Sequence, residues 1–303
     1  MSGDTATPPQ APPAPDPEYD AKPRPAWLRA MGKLDPPTRV EIDGRPYERV
    51  TLYKHDAWAA TCQFAAADDP QARAIVKFSR RSWLGPIPMG WVGRGLTRRE
   101  TRLLHRLADV EGVPDDLGTV AWTRPGATSP APDPATAARV FLDGDTLKAY
   151  RETHRVSDSF FDELDAIVAA LHQADVAYVD MDKSDNVIVG TDGRPKLIDF
   201  QIHFAIPRRL PLGKLTLGWL LRMLQRSDRY HLMKHKLRTR PDLYPGGEAE
   251  LDALRPPAVR LWRRISKGPQ RLRRALLTKL GVRDKTGRAA SEYGAAVEMS
   301  HED

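Results

Sequence analysis

Short stretches in which polar and apolar residues alternate dominate the first third of the chain, and this period of two predicts β-strands. The strands are predicted at residues 40–42, 48–53, 58–66 and 73–78. Asp43-Gly44 and Asp68-Asp69-Pro70 supply turn signals between them. Because the connections are short, the natural arrangement of these strands is an antiparallel meander.

Apolar residues three and four positions apart predict helices further along the chain. The helices are predicted at residues 97–108, 158–173 and 215–237 and after Pro257, with a Gly/Pro/Trp-rich insertion at 83–95 and strands at 140–142, 187–189 and 195–198. Ser157 or Ser159 is expected to cap the second helix, and Trp219 in the third is expected to pack in the core. Strands that come first, followed by helices, predict an α+β fold rather than a doubly wound parallel sheet.

Composition narrows the class of protein. The chain has 303 residues, of which 41% are hydrophobic and 29% charged, a mix typical of globular proteins. Its one cysteine, Cys62, excludes an internal disulfide and a cysteine-rich metal site, and fits a reducing compartment. The N-terminus is acidic and proline-rich, without the basic start and apolar run of a signal peptide. These features favour a cytoplasmic location.

The net charge of +7 is unevenly distributed. Residues 1–204 carry 25 Lys and Arg against 30 Asp and Glu, whereas residues 205–288 carry 22 against 6. The basic region after Pro257 interleaves arginines with leucines, a pattern typical of a helix at a membrane surface and equally of a C-terminal helix packed on the domain. An anionic partner is therefore expected, which is a membrane surface, a phosphorylated substrate or nucleic acid, and nucleic acid is the least favoured of the three.

Carboxylates and an amide cluster in one segment near the middle of the chain. A helix ending near His172 runs into Asp180-Met181-Asp182-Lys183-Ser184-Asp185-Asn186, and the hairpin that follows presents Asp199 after an apolar strand. Phosphoryl transfer requires a carboxylate to orient or deprotonate the acceptor hydroxyl, and oxygen ligands to hold magnesium against the phosphates. The segment supplies both.

This segment resembles the catalytic and magnesium-binding loops of the protein-kinase-like superfamily. It resembles the compact bacterial branch, which includes lipopolysaccharide-core kinases, RIO-type atypical kinases and aminoglycoside phosphotransferases, more than it resembles regulated eukaryotic kinases. The resemblance implies that Asp180 is catalytic, that Asn186 and Asp199 bind Mg²⁺, and that the protein uses ATP. Asp199-Phe200-Gln201 corresponds to the Asp-Phe-Gly motif.

The N-terminal half resembles the rest of the same family. Ala74-Ile75-Val76-Lys77 is similar to the strand whose lysine holds the ATP phosphates, and Glu100 is placed to pair with Lys77. Thr97 and Glu100 also match a capping box, so a purely local role for Glu100 stays open. Phe141 and Leu142 resemble the hinge at which backbone groups meet the adenine.

Several residues depart from the family pattern. Asn186 follows Asp180 by six residues where the kinase loop has five, and it follows Asp182 by four, so Asp182 is an alternative catalytic residue. The loop after Lys54 has no glycine, and Gln201 replaces the glycine of the magnesium motif. His231 and His235 have the spacing of a zinc pair, but no third ligand is apparent and a solvated helix face is expected.

The resemblance implies a two-lobed kinase-like fold, with a small antiparallel sheet as N-lobe and a mainly helical C-lobe. The expected divisions are a disordered tail (1–35), an N-lobe (36–142), a C-lobe (143–255) and a basic extension (256–303). The expected function is transfer of the γ-phosphoryl group of Mg-ATP to a hydroxyl, such as a sugar of lipopolysaccharide core. Alternatives are a protein serine/threonine kinase, a catalytically weak nucleotide-binding scaffold, and a nucleic-acid-binding protein.

Overall fold

An antiparallel sheet forms the first part of the structure. The computed structural model describes residues 25–83, 86–207 and 212–243, together with residues 247, 249 and 251. Its seven-stranded sheet has the order β6-β5-β1-β2-β3-β4-β7. The strands are β1 (Arg39–Ile42), β2 (Arg45–His55), β3 (Ala59–Ala66), β4 (Asp69–Ser79), β5 (Val120–Trp122), β6 (Ala131–Pro132) and β7 (Thr136–Val140). The predicted meander is thus the centre of the sheet.

Helices and short strands make up the rest of the described chain. The helices are α1 (Gly90–Arg106), α2 (Leu147–Thr153), α3 (Phe160–Gln173) and α4 (Gly213–Thr239). The short strands are β8 (Gly144–Thr146), β9 (Val176–Ala177), β10 (Val187–Gly190), β11 (Pro195–Leu197) and β12 (Phe204–Ala205). β10 pairs with β8 and β11, and β9 with β12. The fold is α+β, as the sequence predicts.

Two main apolar cores follow from these elements. The sheet core contains Phe64, Val76 and Phe78, and Cys62 lies in it with no exposed surface. The helical core gathers the apolar side of α3, residues of the β10–β11 hairpin, and Leu103 and Leu104 of α1. Helix α1 therefore contacts both the helical core and the sheet: Leu103 and Leu104 pack in the helical core, and the buried Glu100 and Thr97 bond to residues of strand β4.

Three sequence-based boundaries are wrong for identifiable reasons. Helix α1 begins at Gly90, seven residues before the predicted start, and a Cβ at Gly93 would stand 2.0 Å from the carbonyl oxygen of Arg80. That glycine permits close helix–strand contact, so it belongs to the helix and not to a loop. The predicted strand at 140–142 ends at Val140 in β7. Ser159 precedes α3, but its hydroxyl bonds Glu163 and does not cap the helix.

Residues at the two ends of the described chain also differ from expectation. Ala26–Leu28 forms a short 3₁₀ turn and Met31 is buried in the sheet core, so this part of the predicted tail is ordered by packing. Trp219 of α4 was expected in the core, but 62% of it is exposed, whereas Leu221 is buried. The predicted basic extension and the helix after Pro257 lie outside the described residues. In the described part of the chain, no helix combines the length and apolar character needed to span a bilayer.

Candidate active site

Lys77 stands at the centre of the polar cluster between sheet and helices. Strand β4 brings its side chain toward α1, where Nζ donates to Oε1 of Glu100 at 2.8 Å. The same Nζ donates to Oδ1 of Asp199, also at 2.8 Å, across a separation of 122 residues. Lys77 and Glu100 are almost fully buried. The Glu100 carboxylate therefore meets Lys77, as the kinase resemblance implies, and does not cap its own helix.

The charges of this cluster stabilise one another. Burial alone would lower the pKa of Lys77, but the carboxylates of Glu100 and Asp199 outweigh burial and hold that pKa above its ordinary value. Burial would raise the pKa of Asp199, but the cations Lys77, Lys54 and Lys183 hold it well below its usual range. Asp199 is therefore ionised at neutral pH, as a metal ligand or a phosphate-site carboxylate has to be.

Asp180 lies in the loop between β9 and β10, where Asn186 holds it. The Nδ2 group of Asn186 donates to Oδ2 of Asp180 at 2.9 Å, and Lys183 donates to the same oxygen at 2.6 Å. Ile198, next to Asp199, donates its backbone N–H to the carbonyl of Asn186 at 3.0 Å. The loop and the end of the hairpin are therefore held together, and the predicted residues Asp180, Asn186 and Asp199 meet in one region.

Asp182, the alternative catalytic residue, points to a different part of the molecule. Lys234 of α4 donates to its Oδ1, and Nδ1 of His231 lies 3.1 Å from the same oxygen. The nearby imidazole of His231 and the hydrogen bond from Lys234 hold the pKa of Asp182 far below its usual range. Asp182 is thus engaged in holding the loop to α4, which favours Asp180 for chemistry.

His235 is not on a solvated face, contrary to expectation. Its Nε2 donates to the carbonyl oxygen of Met181 at 2.6 Å, and the side chain is buried. Burial lowers the pKa of His235 to about 4, in spite of the hydrogen bond to Met181. No cluster of three His, Cys, Asp or Glu side chains suited to a metal ion occurs among the described residues. The His231–His235 pair is part of the loop support.

Asp228 of α4 is a site residue that sequence reasoning missed. It has no exposed surface, and its two carboxylate oxygens accept the backbone N–H groups of Tyr178 and Val179, both at 2.8 Å. Nε2 of His172 lies 3.1 Å from Oδ2. Val179 has φ of 69°, a left-handed conformation that is unfavourable for a β-branched residue. Asp228 therefore holds a strained backbone immediately before Asp180.

Asp199 is also strained, with φ of 63°. Tyr178 reaches under it from the loop, with its hydroxyl donating to the carbonyl of Ile198 and its ring edge-on to Phe200 at 5.2 Å. These contacts clamp both sides of Asp199. Strained backbone that is over-determined by its surroundings is typical of functional sites.

Three further cations, Lys54, Lys183 and Arg139, act electrostatically on Asp199. Lys54, at the end of β2, and Lys183 both act electrostatically on Asp199. Arg139 of β7 is buried, interacts with the charges of Glu100 and Asp199, and has no hydrogen-bond partner for Nε among the described residues. No motif near Lys54 or Arg139 predicts that either residue lies close to Asp199, because the pairing of the strands of the sheet brings them there. The site has an excess of cationic groups on the side facing β2 and β7.

Phe141 and Leu142 lie directly after β7 and are half-buried. The backbone N–H of Phe141 donates to the carbonyl of Arg73 at 3.0 Å, so the sheet hydrogen bonds continue through it. The guanidinium of Arg73 also lies 4.7 Å from the centre of the Phe141 ring and pairs with Asp143. The backbone N–H of Phe141 is therefore already engaged in the sheet.

The donor set fits magnesium better than a transition metal. The amide hydrogens of Asn186 are donated to Asp180, which leaves the amide oxygen to coordinate a cation, and Asp199 offers an ionised carboxylate. Mg²⁺ prefers oxygen ligands and typically takes only one or two from the protein, with phosphates and water completing its shell. Asn186 and Asp199 would suffice for such a site.

Neither a protein-family profile nor a curated protein sequence matches this chain. Among solved structures, Rio2 kinase from Chaetomium thermophilum, in its ADP/Mg²⁺-phosphoaspartate complex, is similar with a TM-score of 0.45 and 15% identity, over 63% of this chain and 56% of that one. The BubR1 kinase domain is similar with a TM-score of 0.40 and 14% identity, over 56% of this chain and 51% of that one. The chain thus spans little more than half of these structures. At this level of similarity, function has to be inferred from the geometry of the site.

Proposed function

We propose that the protein transfers the γ-phosphoryl group of Mg-ATP to a hydroxyl acceptor. The observation that supports this most strongly is the buried Lys77, held at 2.8 Å by both Glu100 and Asp199. A buried lysine needs a compensating partner, and here one partner comes from the neighbouring helix and the other from the strained turn after the hairpin. Lys77 would bind the phosphates, oriented by Glu100.

Asp180 is the proposed base. The acceptor hydroxyl would lose its proton to a carboxylate oxygen of Asp180 as its oxygen forms a bond to the γ-phosphorus. The bond from the γ-phosphorus to the oxygen that bridges to the β-phosphorus breaks, and ADP leaves. Asn186 positions Asp180 at 2.9 Å. Asn186 and Asp199 would hold the magnesium ion, which when bound offsets the negative charge of the phosphates.

Lys54 and Lys183 could bind the phosphates of ATP although the loop after Lys54 has no glycine. Glycine-rich loops bind phosphates through backbone N–H groups, which the segment after Lys54 is not expected to offer. Both lysines lie close enough to Asp199 to depress its pKa. The ammonium groups of Lys54 and Lys183 would then donate to the phosphates in place of the backbone N–H groups of a glycine-rich loop. Phe141 and Leu142 are proposed to line the place of the adenine.

The proposal extends to the molecule that accepts the phosphoryl group. A sugar of a lipid-linked glycan, such as lipopolysaccharide core, is favoured by the basic C-terminal part of the sequence, because it would hold the enzyme near an anionic membrane. A serine or threonine of a protein is the second candidate. A catalytically weak nucleotide-binding scaffold is favoured by the missing glycines and by the six-residue spacing from Asp180 to Asn186.

Thermal stabilisation by ATP tests the nucleotide site. Ligand at a hundredfold excess over its Kd stabilises a protein by about 2.7 kcal/mol, and we expect a shift of this kind that requires Mg²⁺. Asp199→Ala should abolish the magnesium dependence. Asp192→Ala, which removes a carboxylate from the exposed turn of the same hairpin, is the control and should behave as wild type. Magnesium-dependent stabilisation that survives in Asp199→Ala would contradict the metal assignment.

Transfer of labelled phosphate from ATP identifies the acceptor. A membrane extract, a purified glycan fraction and a protein lysate are incubated separately with the protein and with Asp180→Asn. Label that appears in the glycan fraction and requires Asp180 supports the sugar acceptor, and label in protein supports the second candidate. Magnesium-dependent ATP binding without transfer into any fraction would favour the scaffold.

A further inference from the structure

Helix α4 carries an exposed ridge that its role in loop support does not explain. The ridge is apolar at the N-terminal end and cationic further along: Leu212, Leu215, Trp219, Arg222, Arg226 and Arg229. Residues three or four apart lie on one side of a helix, so these six side chains form a continuous line. Leu215 is 80% exposed. The opposite side of the helix carries Leu221 and Asp228, which are buried.

The ridge is not neutralised within the described residues. Asp228 is the only acid in α4, and it faces inward to the loop. Among the described residues no acidic side chain pairs with Arg222, Arg226 or Arg229. Three exposed arginines on one line, with no intervening acid, attract an anionic partner.

Helix α1 repeats the pattern. Trp91 is 66% exposed at its N-terminal end, and Arg94, Arg98 and Arg102 follow as exposed residues on the same side. The only acid of this helix, Glu100, is buried against Lys77. Both helices thus direct their single acid into the candidate site and their arginines to the outside.

The two helices also border one segment of the chain. Arg106 of α1 donates to the carbonyl of Ile206 at 2.9 Å, and Leu221 of α4 packs with Ile206 in a small apolar cluster. Ile206 lies seven residues after Asp199. Both helices therefore contact the segment that leads away from the candidate active site, and α4 does so with the side opposite its ridge.

We propose that the α1 ridge and the α4 ridge dock the protein on an anionic phospholipid surface. The apolar and cationic parts are separated along each helix axis, not around it. At about 1.5 Å per residue, Leu212 and Arg229 are about 25 Å apart along the axis. A helix that lies along a membrane surface presents the whole line to it: the apolar residues can reach about 5–10 Å into the boundary between headgroups and acyl chains, and the arginines can pair with the lipid phosphates.

The charges and the apolar residues together favour lipid over other occupants. Nucleic acid would satisfy the arginines but offers no apolar layer to Leu212 and Leu215. The chain's own C-terminal sequence is an unsuitable cover, because residues 255–288 contain twelve Lys and Arg against one acid, which would repel the arginines. An anionic bilayer is the partner that matches both halves of each ridge.

Vesicle co-sedimentation of the full chain, without nucleotide, tests the proposal. We expect binding to vesicles of phosphatidylcholine mixed with an equal amount of phosphatidylglycerol, and none to phosphatidylcholine alone. The triple variant Arg222→Gln, Arg226→Gln and Arg229→Gln should bind at least about tenfold more weakly. Leu215→Ser with Trp219→Ser, and Trp91→Ser on the α1 ridge, should also weaken binding. Because these side chains are exposed, the melting temperature should stay close to that of wild type.

A charge-matched control separates the ridge from net charge. Arg39, Arg45 and Arg155 form exposed ion pairs elsewhere on the protein, and their triple Gln variant loses the same charge. It should bind vesicles almost as wild type does. An equal loss of vesicle binding in both triple variants would overturn the proposal. Unchanged vesicle binding in the ridge variants would also overturn it, and would assign binding to the C-terminal sequence. Binding to a single-stranded oligonucleotide but not to vesicles would also overturn it.

The proposal deepens the proposed function, because it places the enzyme where a lipid-linked acceptor would be. The two can fail separately. Vesicle binding is measured without nucleotide, and phosphate transfer is measured with a soluble glycan fraction. Membrane binding without transfer would leave the docking surface valid and the kinase assignment wrong.

Discussion

The loop from Tyr178 to Asn186 has two sides that are held in different ways. On one side, the carboxylate of Asp180 is held by side chains alone, the amide of Asn186 and the ammonium of Lys183. On the side of α4, backbone groups are held by buried side chains: Asp228 accepts two N–H groups and His235 donates to a carbonyl. A change of partners on the first side leaves the backbone hydrogen bonds to Asp228 and His235 intact, whereas loss of the second side leaves backbone groups of the loop without these partners. One segment thus combines a cluster of polar side chains at the candidate site with a support that binds its backbone.

The sharpest test of this comparison concerns its two aspartates. Removing a general base typically costs 10²–10⁴-fold in rate, whereas Asp182 only ties the loop to α4. We expect Asp180→Asn to lower kcat at least about a hundredfold more than Asp182→Asn, with little change in nucleotide affinity in either. Steady-state phosphate transfer at saturating ATP measures the difference. If Asp182→Asn is the inactive variant, the two sides of the loop have been assigned the wrong way round.

Lys77→Met should destabilise the protein as well as weaken ATP binding. Methionine keeps the apolar stem but leaves the buried Glu100 carboxylate without its cation, and breaking a buried ion pair costs about 3–5 kcal/mol. Urea unfolding without nucleotide measures the loss. Adding Glu100→Gln to Lys77→Met should recover part of the stability but not ATP binding. An unchanged midpoint in Lys77→Met would mean that the pair contributes nothing to the fold.

Asp228→Asn should damage the support side. The amide has one oxygen to accept the two backbone N–H groups that the carboxylate accepts now. Because hydrogen bonds to a charged group are worth about 1.5–3 kcal/mol each, we expect a loss of about 3 kcal/mol. Hydrogen exchange at Tyr178 and Val179 should quicken together with this loss. Protection that stays at the wild-type level would show that other contacts hold Val179 in its left-handed conformation.

The pH dependence of stability should report on His235. Its pKa falls from an ordinary 6.5 to about 4 in the folded protein, so the unfolded chain binds the proton more readily between these values. The neutral histidine contributes stability in full above pH 6.5, and this contribution is lost as the pH falls toward 4. Between pH 7 and pH 5 wild type should therefore lose about 2 kcal/mol more than His235→Gln, at 1.36 kcal/mol per pH unit. His154→Gln, at an exposed histidine, is the control and should leave the wild-type profile unchanged.

Local patterns predicted the elements well, and contacts distant in sequence explain most of what was missed. The strands of the meander, the β10–β11 hairpin and α3 are all visible as periodicity and turn signals. Asp228 was missed because a lone acid in an amphipathic helix has no local signal, and its partners are about 50 residues away. Periodicity predicts Trp219 in the core because it cannot distinguish an apolar side that packs from one that stays exposed.

Sequence alone could bring Lys77, Glu100 and Asp199 together only through the kinase resemblance. The structure places the three within hydrogen-bond distance through sheet pairing and helix packing. Arg139 lies outside any motif, and its relation to the site follows from the β4–β7 register, in which it stands opposite Ile75, two residues from Lys77. Strand register depends on the whole sheet, so no short motif could reveal it.

The buried Cys62 makes this chain convenient for site-specific labelling. Burial raises the pKa of its thiol to about 12, so almost none of it is thiolate, the form that reacts with maleimides and similar reagents. Because it is the only cysteine in the sequence, a cysteine introduced on either helix ridge would be the single reactive position in the native protein. A spin label or environment-sensitive dye could then be moved along each ridge, one position at a time, without first removing the native cysteine.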